Sequence, residues 1–234
     1  MLLLNYGMKA MILAAGFGTR LKPLTDNIPK ALVPFRNGTI ISYQIERLRK
    51  AGFTGIVINA HHHHRKIIDY FRDNDFGLNV NVIVEDTILG TGGGIMNAEE
   101  LLSGDKFFSV INVDVYTDYN ILNAVNSFQK LNPLALVTVQ KRNTSRYLLF
   151  DDDMMLIKRT TDGSNKLSYG FNGIHVISNE IFSKGLSKKY SDIIDLYLGL
   201  SEKGCLIKGI DTGNCKFLDL GKPENLKSAE SLIK

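Results

Sequence analysis

Two kinds of side chain in this 234-residue sequence suit the handling of phosphate: cations set among glycines early in the chain, and carboxylates closing apolar runs. After the apolar residues 8–14 the side chains shrink at Ala15, Gly16 and Gly18, so main-chain N–H groups can approach phosphate oxygens closely. Arg20 and Lys30 follow, with Pro23, Pro29 and Pro34 shaping the loop. The planar fork of Arg20 suits the bridging of phosphate oxygens, so it is expected to face departing β and γ phosphates. Lys30, a compact charge, is expected at the α-phosphate and an incoming phosphate. Two other phosphate loops are excluded. A dinucleotide fingerprint needs glycine where Leu21 stands, and the Gly-Lys-Ser/Thr of a Walker loop occurs nowhere in the chain.

Asp114 stands just beyond the apolar residues 107–112, where a carboxylate at a strand end can meet a divalent ion that also touches an α-phosphate. Asn112, two residues earlier, shares its face if the strand pattern persists. Glu85 closes another apolar run, and Gly90-Thr91-Gly92-Gly93-Gly94 follows with no lysine after it. That glycine loop reads as a base-recognition surface, its main chain lying against a flat nucleobase while Glu85 accepts from a ring N–H. Uracil and guanine both offer that donor. The four consecutive histidines 61–64 cannot all face one ion and receive no metal role.

The run Leu13-Ala14-Ala15-Gly16-x-Gly18-Thr19-Arg20-Leu21-x-Pro23-Leu24-Thr25, with Pro29-Lys30 after it, resembles the signature of the sugar-1-phosphate nucleotidyltransferases. The resemblance continues through Asn59-Ala60-His61-His62, Glu85, Leu89-Gly90-Thr91-Gly92-Gly93-Gly94, Asn112-Val113-Asp114, Phe171-Asn172-Gly173 and Asp219-Leu220-Gly221. It implies a three-layer α/β/α Rossmann-like fold with a mixed, mostly parallel central sheet. It also implies transfer of a nucleoside monophosphate from a nucleoside triphosphate to a sugar 1-phosphate, with Mg2+ held by Asp114 and Asp219. Arg20 and Lys30 join those aspartates as catalytic candidates, and Leu13, Ala14, Ala15, Gly16, Gly18, Thr19, Glu85, Gly90 and Thr91 are the nucleotide-binding ones. Asn112, Lys158 and Asn172 are the sugar-binding candidates.

The chemistry needs no protein nucleophile, because a sugar phosphate with a second pKa of about 6 is already a nucleophile near neutrality. Thr91-Gly92-Gly93-Gly94-Ile95 and Asp114-Val115-Tyr116-Thr117-Asp118 most resemble the N-acetylmuramate-1-phosphate uridylyltransferase branch. The alternative is a mannose- or heptose-1-phosphate guanylyltransferase, which shares Glu85-x-x-x-Leu89-Gly90-Thr91-Gly92-Gly93. A cytidylyltransferase of a phosphoalcohol and a catalytically weak nucleotide-binding regulatory protein are the other readings. The last is motivated by Val113, which stands where the family carries glycine: either the strand shifts to take the branched side chain, or the sugar pocket is narrowed.

These residues need a scaffold that gathers them at one rim. Strand-length apolar runs at 9–13, 55–59, 80–84, 107–112 and 134–140 alternate with segments of helical period, among them Ile41, Ile45 and Leu48, and Ile67, Ile68 and Phe71. Such alternation predicts an α/β sheet covered on both faces. Shorter strands follow at 147–150, 155–158, 169–177, 205–210 and 216–219, with helices at 95–102, around 192–200 and after Pro223. In open α/β sheets ligands sit beyond the carboxyl ends of the strands, which places the loops after Ala14, Val84, Asn112 and Phe217 together.

The length suits one domain, residues 1–234, with a nucleotide-binding half at 1–140 and a sugar-binding half at 141–234. A net charge of +4 without a basic block gives no footprint for nucleic acid, and no run is long and apolar enough for a membrane. Residues 1–7 are too short for a signal peptide, and Met8 is a second candidate start. Cys205 and Cys215 read as reduced thiols, so a cytoplasmic setting is expected, with a monomer or homodimer as the assembly.

Overall fold

The computed structural model describes residues 7–231; residues 1–6, which hold most of the segment read above as too short for a leader, lie outside the described residues. The strands are β1 (Met8–Leu13), β2 (Pro34–Phe35), β3 (Gly38–Thr39), β4 (Phe53–Ala60), β5 (Asn79–Val84), β6 (Phe107–Asn112) and β7 (Val115–Thr117). After them come β8 (Ala135–Gln140), β9 (Tyr147–Phe150), β10 (Leu156–Thr160), β11 (Ser168–Ser178), β12 (Ile207–Asp211) and β13 (Phe217–Asp219). The helices are α1 (Ile40–Lys50), α2 (His64–Asp73), α3 (Gly90–Asn97), α4 (Glu99–Leu102), α5 (Ile121–Leu131), α6 (Ile193–Glu202) and α7 (Pro223–Ser231).

Nine strands make one mixed sheet in the order β10-β9-β11-β6-β1-β4-β5, with β8 on β11 and β12 outside β8. β5, β4, β1 and β6 run parallel; β11 is antiparallel to both β6 and β8, so β8 points the same way as β1. The chain completes β4 and β5 on one side of β1 before returning to β6 on the other. That reversal opens a crevice at the carboxyl ends, the place where such sheets receive ligands. Leu13 at the end of β1 lies opposite both Asn59 and Asn112, so the three strand ends are level.

Helices cover both faces, as the α/β/α reading requires. One core cluster joins the sheet to α1, α5 and α7 through Ile41, Ile45, Val125, Phe128 and Leu226; the other joins it to α3, α4 and α6 through Ile95, Leu102, Ile194 and Tyr197. α1 starts at a capping box in which Thr39 accepts from the Ser42 N–H and the Ser42 side chain accepts from the Thr39 N–H. α6 starts at Asp192, whose carboxylate accepts from the Ile194 N–H at 2.8 Å.

Two expectations are corrected. Gly90 to Gly94 do not lie in a loop: they are the first turns of α3, a helix made against poor intrinsic propensity. Tertiary packing explains this, because a Cβ on Gly93 would stand 2.3 Å from the Lys189 carbonyl oxygen and one on Gly92 2.6 Å from the Ser191 hydroxyl. Secondly, β13 does not join the main sheet; it pairs antiparallel with β7 in a separate two-stranded sheet. No helix among the described residues is long and apolar enough to cross a membrane.

Candidate active site

The loop after β1 is held open from below. The Ala14 N–H donates to the Asn59 side-chain oxygen at 2.8 Å, which fixes the chain as it leaves the sheet. Gly18 then adopts a φ of +67°, a conformation that favours glycine, and a Cβ there would press on Lys30 at 2.9 Å. Thr25 donates its hydroxyl to the Gly18 carbonyl at 2.9 Å, closing the loop over its own base. Thr19 and Arg20 follow in a single helical turn. A Cβ on Gly16 would meet nothing within 4 Å, so the main chain there faces open space.

That space is a cleft of about 220 Å³ lined by Leu13, Ala15 and Gly16 on one side and by Gly90 and Thr91 on the other. Lys30, Asn112 and Asp114 close its end, with Asn59 and Ile88 completing the wall. Residues expected to bind nucleotide from opposite ends of the first hundred positions are thus brought together.

At the end of the cleft two carboxylates meet two cations. The Leu220 N–H donates to the Asp114 carbonyl at 2.8 Å, and Asp219 pairs with Val115 across β13 and β7. Lys30 donates to Asp114 Oδ2 at 2.7 Å, and Arg20 Nη1 donates to Asp219 Oδ2 at 2.7 Å. Arg20 Nη2 is also 3.9 Å from Asp114 Oδ2. Burial alone would raise the Asp114 carboxyl, but the Lys30 ammonium beside it outweighs burial and holds it below the usual carboxylate range. The hydrogen bond to Asp219 lifts Arg20 above the ordinary arginine range.

Gly221 leaves the gap between these groups unfilled. A Cβ there would be 2.8 Å from Asp219 Oδ1, 3.1 Å from Asp114 Oδ2 and 2.8 Å from Arg20 Nη2, so both carboxylates face one point. Two all-oxygen ligands converging in this way fit a hard divalent cation such as Mg2+, which takes one or two carboxylates and completes its shell with water and substrate phosphate. No group of three or more His, Cys, Asp or Glu suited to a metal occurs among the described residues. His61 instead sets its Nδ1 against the Glu85 carbonyl at 2.7 Å, and Phe17 packs against His61 and His62.

Glu85 departs from its expected place against a base. It is 3% exposed, Oε1 accepts from the Asn59 side chain at 2.7 Å, and Oε2 accepts from the Leu89 N–H at 3.1 Å. It braces the two walls of the cleft from behind. Thr91 in turn accepts from the Ile193 N–H at 2.9 Å, tying the start of α3 to the start of α6.

In the second half, Asn172 is buried and donates to the Thr212 hydroxyl at 2.9 Å while accepting from Arg142. Its neighbour Gly173, at a φ of +70°, packs on Asn112, where a Cβ would come within 2.9 Å. Lys158 does not fit the sugar-binding expectation: it is exposed on β10 at the far end of the sheet and is not among the residues lining the cleft. The charge at that strand that does find partners is Arg159, paired with Asp192 and Asp195. Val113 does not narrow a pocket either. It is 1% exposed, packed in the core on the α1 face, and its N–H donates to the Leu13 carbonyl at 3.1 Å. Alternation along the chain sends Asn112 and Asp114 to the cleft and the branched side chain between them to the core.

Sequence reasoning missed two supports. Gln44 on α1, fully buried, donates to the carbonyls of Val113 at 3.0 Å and Val115 at 2.5 Å, gripping the chain on both sides of Asp114. A polar residue within the apolar stripe Ile41, Ile45, Leu48 was the only signal. Asn59 was noted as part of a motif but not as a site residue; its place at the end of an apolar strand was the clue.

A sequence profile described as Nucleotidyl transferase matches residues 9–153. Mannose-1-phosphate guanyltransferase 2 of Candida glabrata is 41% identical over 115 residues, covering 48% of this chain and 32% of the relative. The D-glycero-alpha-D-manno-heptose 1-phosphate guanylyltransferase of Campylobacter jejuni is 26% identical over 226 residues, covering 93% of this chain and 96% of that protein. The chain thus spans about a third of the length of the mannose-1-phosphate relative, and nearly all of the heptose one. The crystal structure of HddC from Yersinia pseudotuberculosis complexed with GMP-PN superposes with a TM-score of 0.78 at 25% identity, covering 97% of this chain and 100% of that one. With its profile match across more than half of the sequence and the same fold from end to end, this chain belongs to the nucleotidyl transferase family.

Proposed function

We propose that this protein transfers a nucleoside monophosphate from a nucleoside triphosphate to a sugar 1-phosphate, releasing pyrophosphate, and that the base is guanine and the sugar of mannose or heptose type. The observation that carries the reaction is the meeting of Asp114 and Asp219 opposite Lys30 and Arg20 at the end of the glycine-walled cleft. The base and sugar rest on relatives. Guanyl transfer is named both for proteins similar to about half of the chain and for one similar along its length, which favours the guanylyltransferase alternative over the uridylyltransferase reading.

The triphosphate lies along the loop of Ala15 and Gly16, its base toward Gly90 and Thr91. Asp114 and Asp219 hold a divalent cation, magnesium by the chemistry of their oxygens, which supplies charge stabilisation at the α-phosphate. Lys30 turns from Asp114 to the α-phosphate and follows the oxygen that forms the new bond, while Arg20 turns from Asp219 to the departing pyrophosphate. In the resting site the carboxylates hold both cations beside the phosphate path, and each cation exchanges its aspartate for phosphate oxygens when substrate arrives. Asn112 and Asn172 lie on the sugar side, and residues 1–140 and 141–234 form the nucleotide and sugar halves.

The test is a matrix of five nucleoside triphosphates against mannose, heptose and N-acetylmuramate 1-phosphates, read by pyrophosphate release with and without Mg2+. GTP with a mannose-type acceptor gives the highest kcat/KM. Highest turnover with UTP and N-acetylmuramate 1-phosphate restores the uridylyltransferase reading, and no turnover with any pair, despite nucleotide binding, supports a regulatory protein.

A further inference from the structure

Arg142 stands two residues beyond β8, whose carboxyl end shares the rim of β1 and β6, and none of the site roles above uses it. Its guanidinium is half-buried. Nε donates to the Asn172 side-chain oxygen at 3.2 Å, Nη2 donates to the Phe171 carbonyl at 2.6 Å, and the guanidinium carbon lies 4.2 Å from the centre of the Phe217 ring. The backbone makes room for it at Gly170, where a Cβ would come within 2.8 Å of Cζ.

Two features separate this arginine from the others near the site. Among the described residues no carboxylate lies within ion-pair distance of it, whereas Arg20 and Lys30 each have one. Its Nη1 group, with two N–H donors, has no protein partner among the described residues. Burial pulls Arg142 below the ordinary arginine range, and the Asp219 charge is the largest influence against that pull. A partly buried guanidinium without a counter-ion is costly, and an anion arriving from outside offsets that cost.

The position of the free edge says which anion. Phe217 and Asp219 are two apart on β13, so their side chains share a face and are about 7 Å apart along the strand. Arg142 rests on the first of them and Arg20 bonds the second. That spacing is of the order a phosphate group needs to bridge two cations, and Asn172 is held beside Arg142.

Resting on the reading of this site as a sugar-1-phosphate nucleotidyltransferase, we propose that Arg142 is the acceptor-phosphate residue, binding the phosphate of the sugar 1-phosphate through Nη1 while Nε holds Asn172 on the sugar side and Nη2 holds the Phe171 carbonyl. It fills the place that Lys158 was expected to take. The Phe171 and Asn172 bonds fix the fork, so the cation reaches one acceptor geometry and orients the nucleophilic oxygen toward the α-phosphate.

The experiment compares the wild type with Arg142→Gln and Arg142→Lys by titration calorimetry, with mannose 1-phosphate added to protein saturated with a non-hydrolysable GTP analogue, alongside KM values for both substrates. Arg142→Gln is expected to weaken mannose 1-phosphate binding and raise its KM by about 10- to 100-fold, the loss of one charge-assisted contact, with GTP affinity within about two-fold of wild type. Arg142→Lys recovers part of that loss, and inorganic phosphate competes with the acceptor less effectively against Arg142→Gln than against wild type. Equal weakening of GTP and acceptor, or an unchanged acceptor affinity in a folded Arg142→Gln protein, overturns the proposal. If both variants fail to fold, wild-type acceptor affinity that ignores inorganic phosphate overturns it as well. A wild type that turns over normally with an indifferent Arg142→Gln sinks only this role, while a wild type that neither binds nor uses any sugar 1-phosphate sinks the functional reading with it.

Discussion

Replacing Lys30 by methionine separates the two things this lysine does. In the resting protein its ammonium is 2.7 Å from Asp114 Oδ2, and the two side chains are only 14% and 15% exposed. Removing one partner of a pair this sheltered typically costs about 3–5 kcal/mol, and the remaining solvent contact brings the expectation to about 2–3 kcal/mol. The methionine keeps most of the stem's packing, so the loss reports the unpaired carboxylate. In the wild type the folded Asp114 carboxyl sits below its unfolded value, so its contribution is full above about pH 4 and fades as pH falls through the folded value. Without Lys30, burial becomes the dominant cause and drives that carboxyl upward. The sign of its linkage then reverses, and the stability gap between variant and wild type narrows as pH falls through that raised value toward the unfolded value of about 4. The double variant Lys30→Met/Asp114→Asn, which leaves no charge behind, regains at least half of the loss at neutral pH. Turnover follows a different rule: Lys30→Met lowers kcat by about 10²- to 10³-fold, as removal of one transition-state cation does, and the double variant does not recover it. Urea unfolding from pH 4.5 to 7.5 and pyrophosphate release at saturating substrate give both quantities. A double variant no more stable than Lys30→Met, or a kcat within ten-fold of wild type, refutes the reasoning.

Gly221→Ala places a methyl 2.8 Å from Asp219 Oδ1 and 3.1 Å from Asp114 Oδ2 at a position without backbone strain. It is expected to change unfolding free energy by less than about 1 kcal/mol and to raise the Mg2+ concentration for half-maximal activity at least ten-fold, read from a metal titration. Gln44→Leu strips two buried carbonyls of their donor and is expected to cost about 2–4 kcal/mol in urea unfolding while lowering kcat, because the chain flanking Asp114 is released. His175, fully buried against the Tyr197 hydroxyl, is pushed down to about 3 by burial, so below about pH 6.5 the unfolded chain takes up a proton that the folded protein refuses. Stability therefore falls as pH drops from about 6.5 toward 3, by up to about 1.4 kcal/mol per unit, and His175→Phe removes about one proton from the linkage measured between pH 6 and 5.

Much of this molecule is legible before any coordinates. The apolar runs at 107–112 and 147–150 become strands with the same limits, because a buried strand needs continuous apolar side chains over a fixed short length. Gly16 and Gly18 mark the open loop that lines the cleft, because a chain without side chains leaves its N–H groups accessible there. The glycines of α3 mislead for the same reason: alone they signal a loop, and their reason for being glycine is a neighbour a hundred residues away at Lys189 and Ser191. Glu85 reads as a free strand-end carboxylate because nothing local reveals that Asn59 and the Leu89 N–H will claim both of its oxygens. Val113 looks like an obstruction until alternation with Asn112 and Asp114 turns it into the core.

From sequence come the residue types: the glycines of the cleft loop and Arg20 and Lys30 as candidate phosphate contacts, and Asp114 and Asp219 as candidate ligands. Local chemistry chooses these, and local chemistry is written residue by residue. The tertiary structure alone decides their partners. Asp219 reaches Asp114 only because β13 pairs with β7, Gln44 grips the chain around Asp114 only because α1 packs on that face, and Arg142 reaches Phe171 and Asn172 only because β8 pairs with β11. Distances between groups a hundred residues apart depend on how the sheet closes and the helices cover it, and no local pattern carries that information.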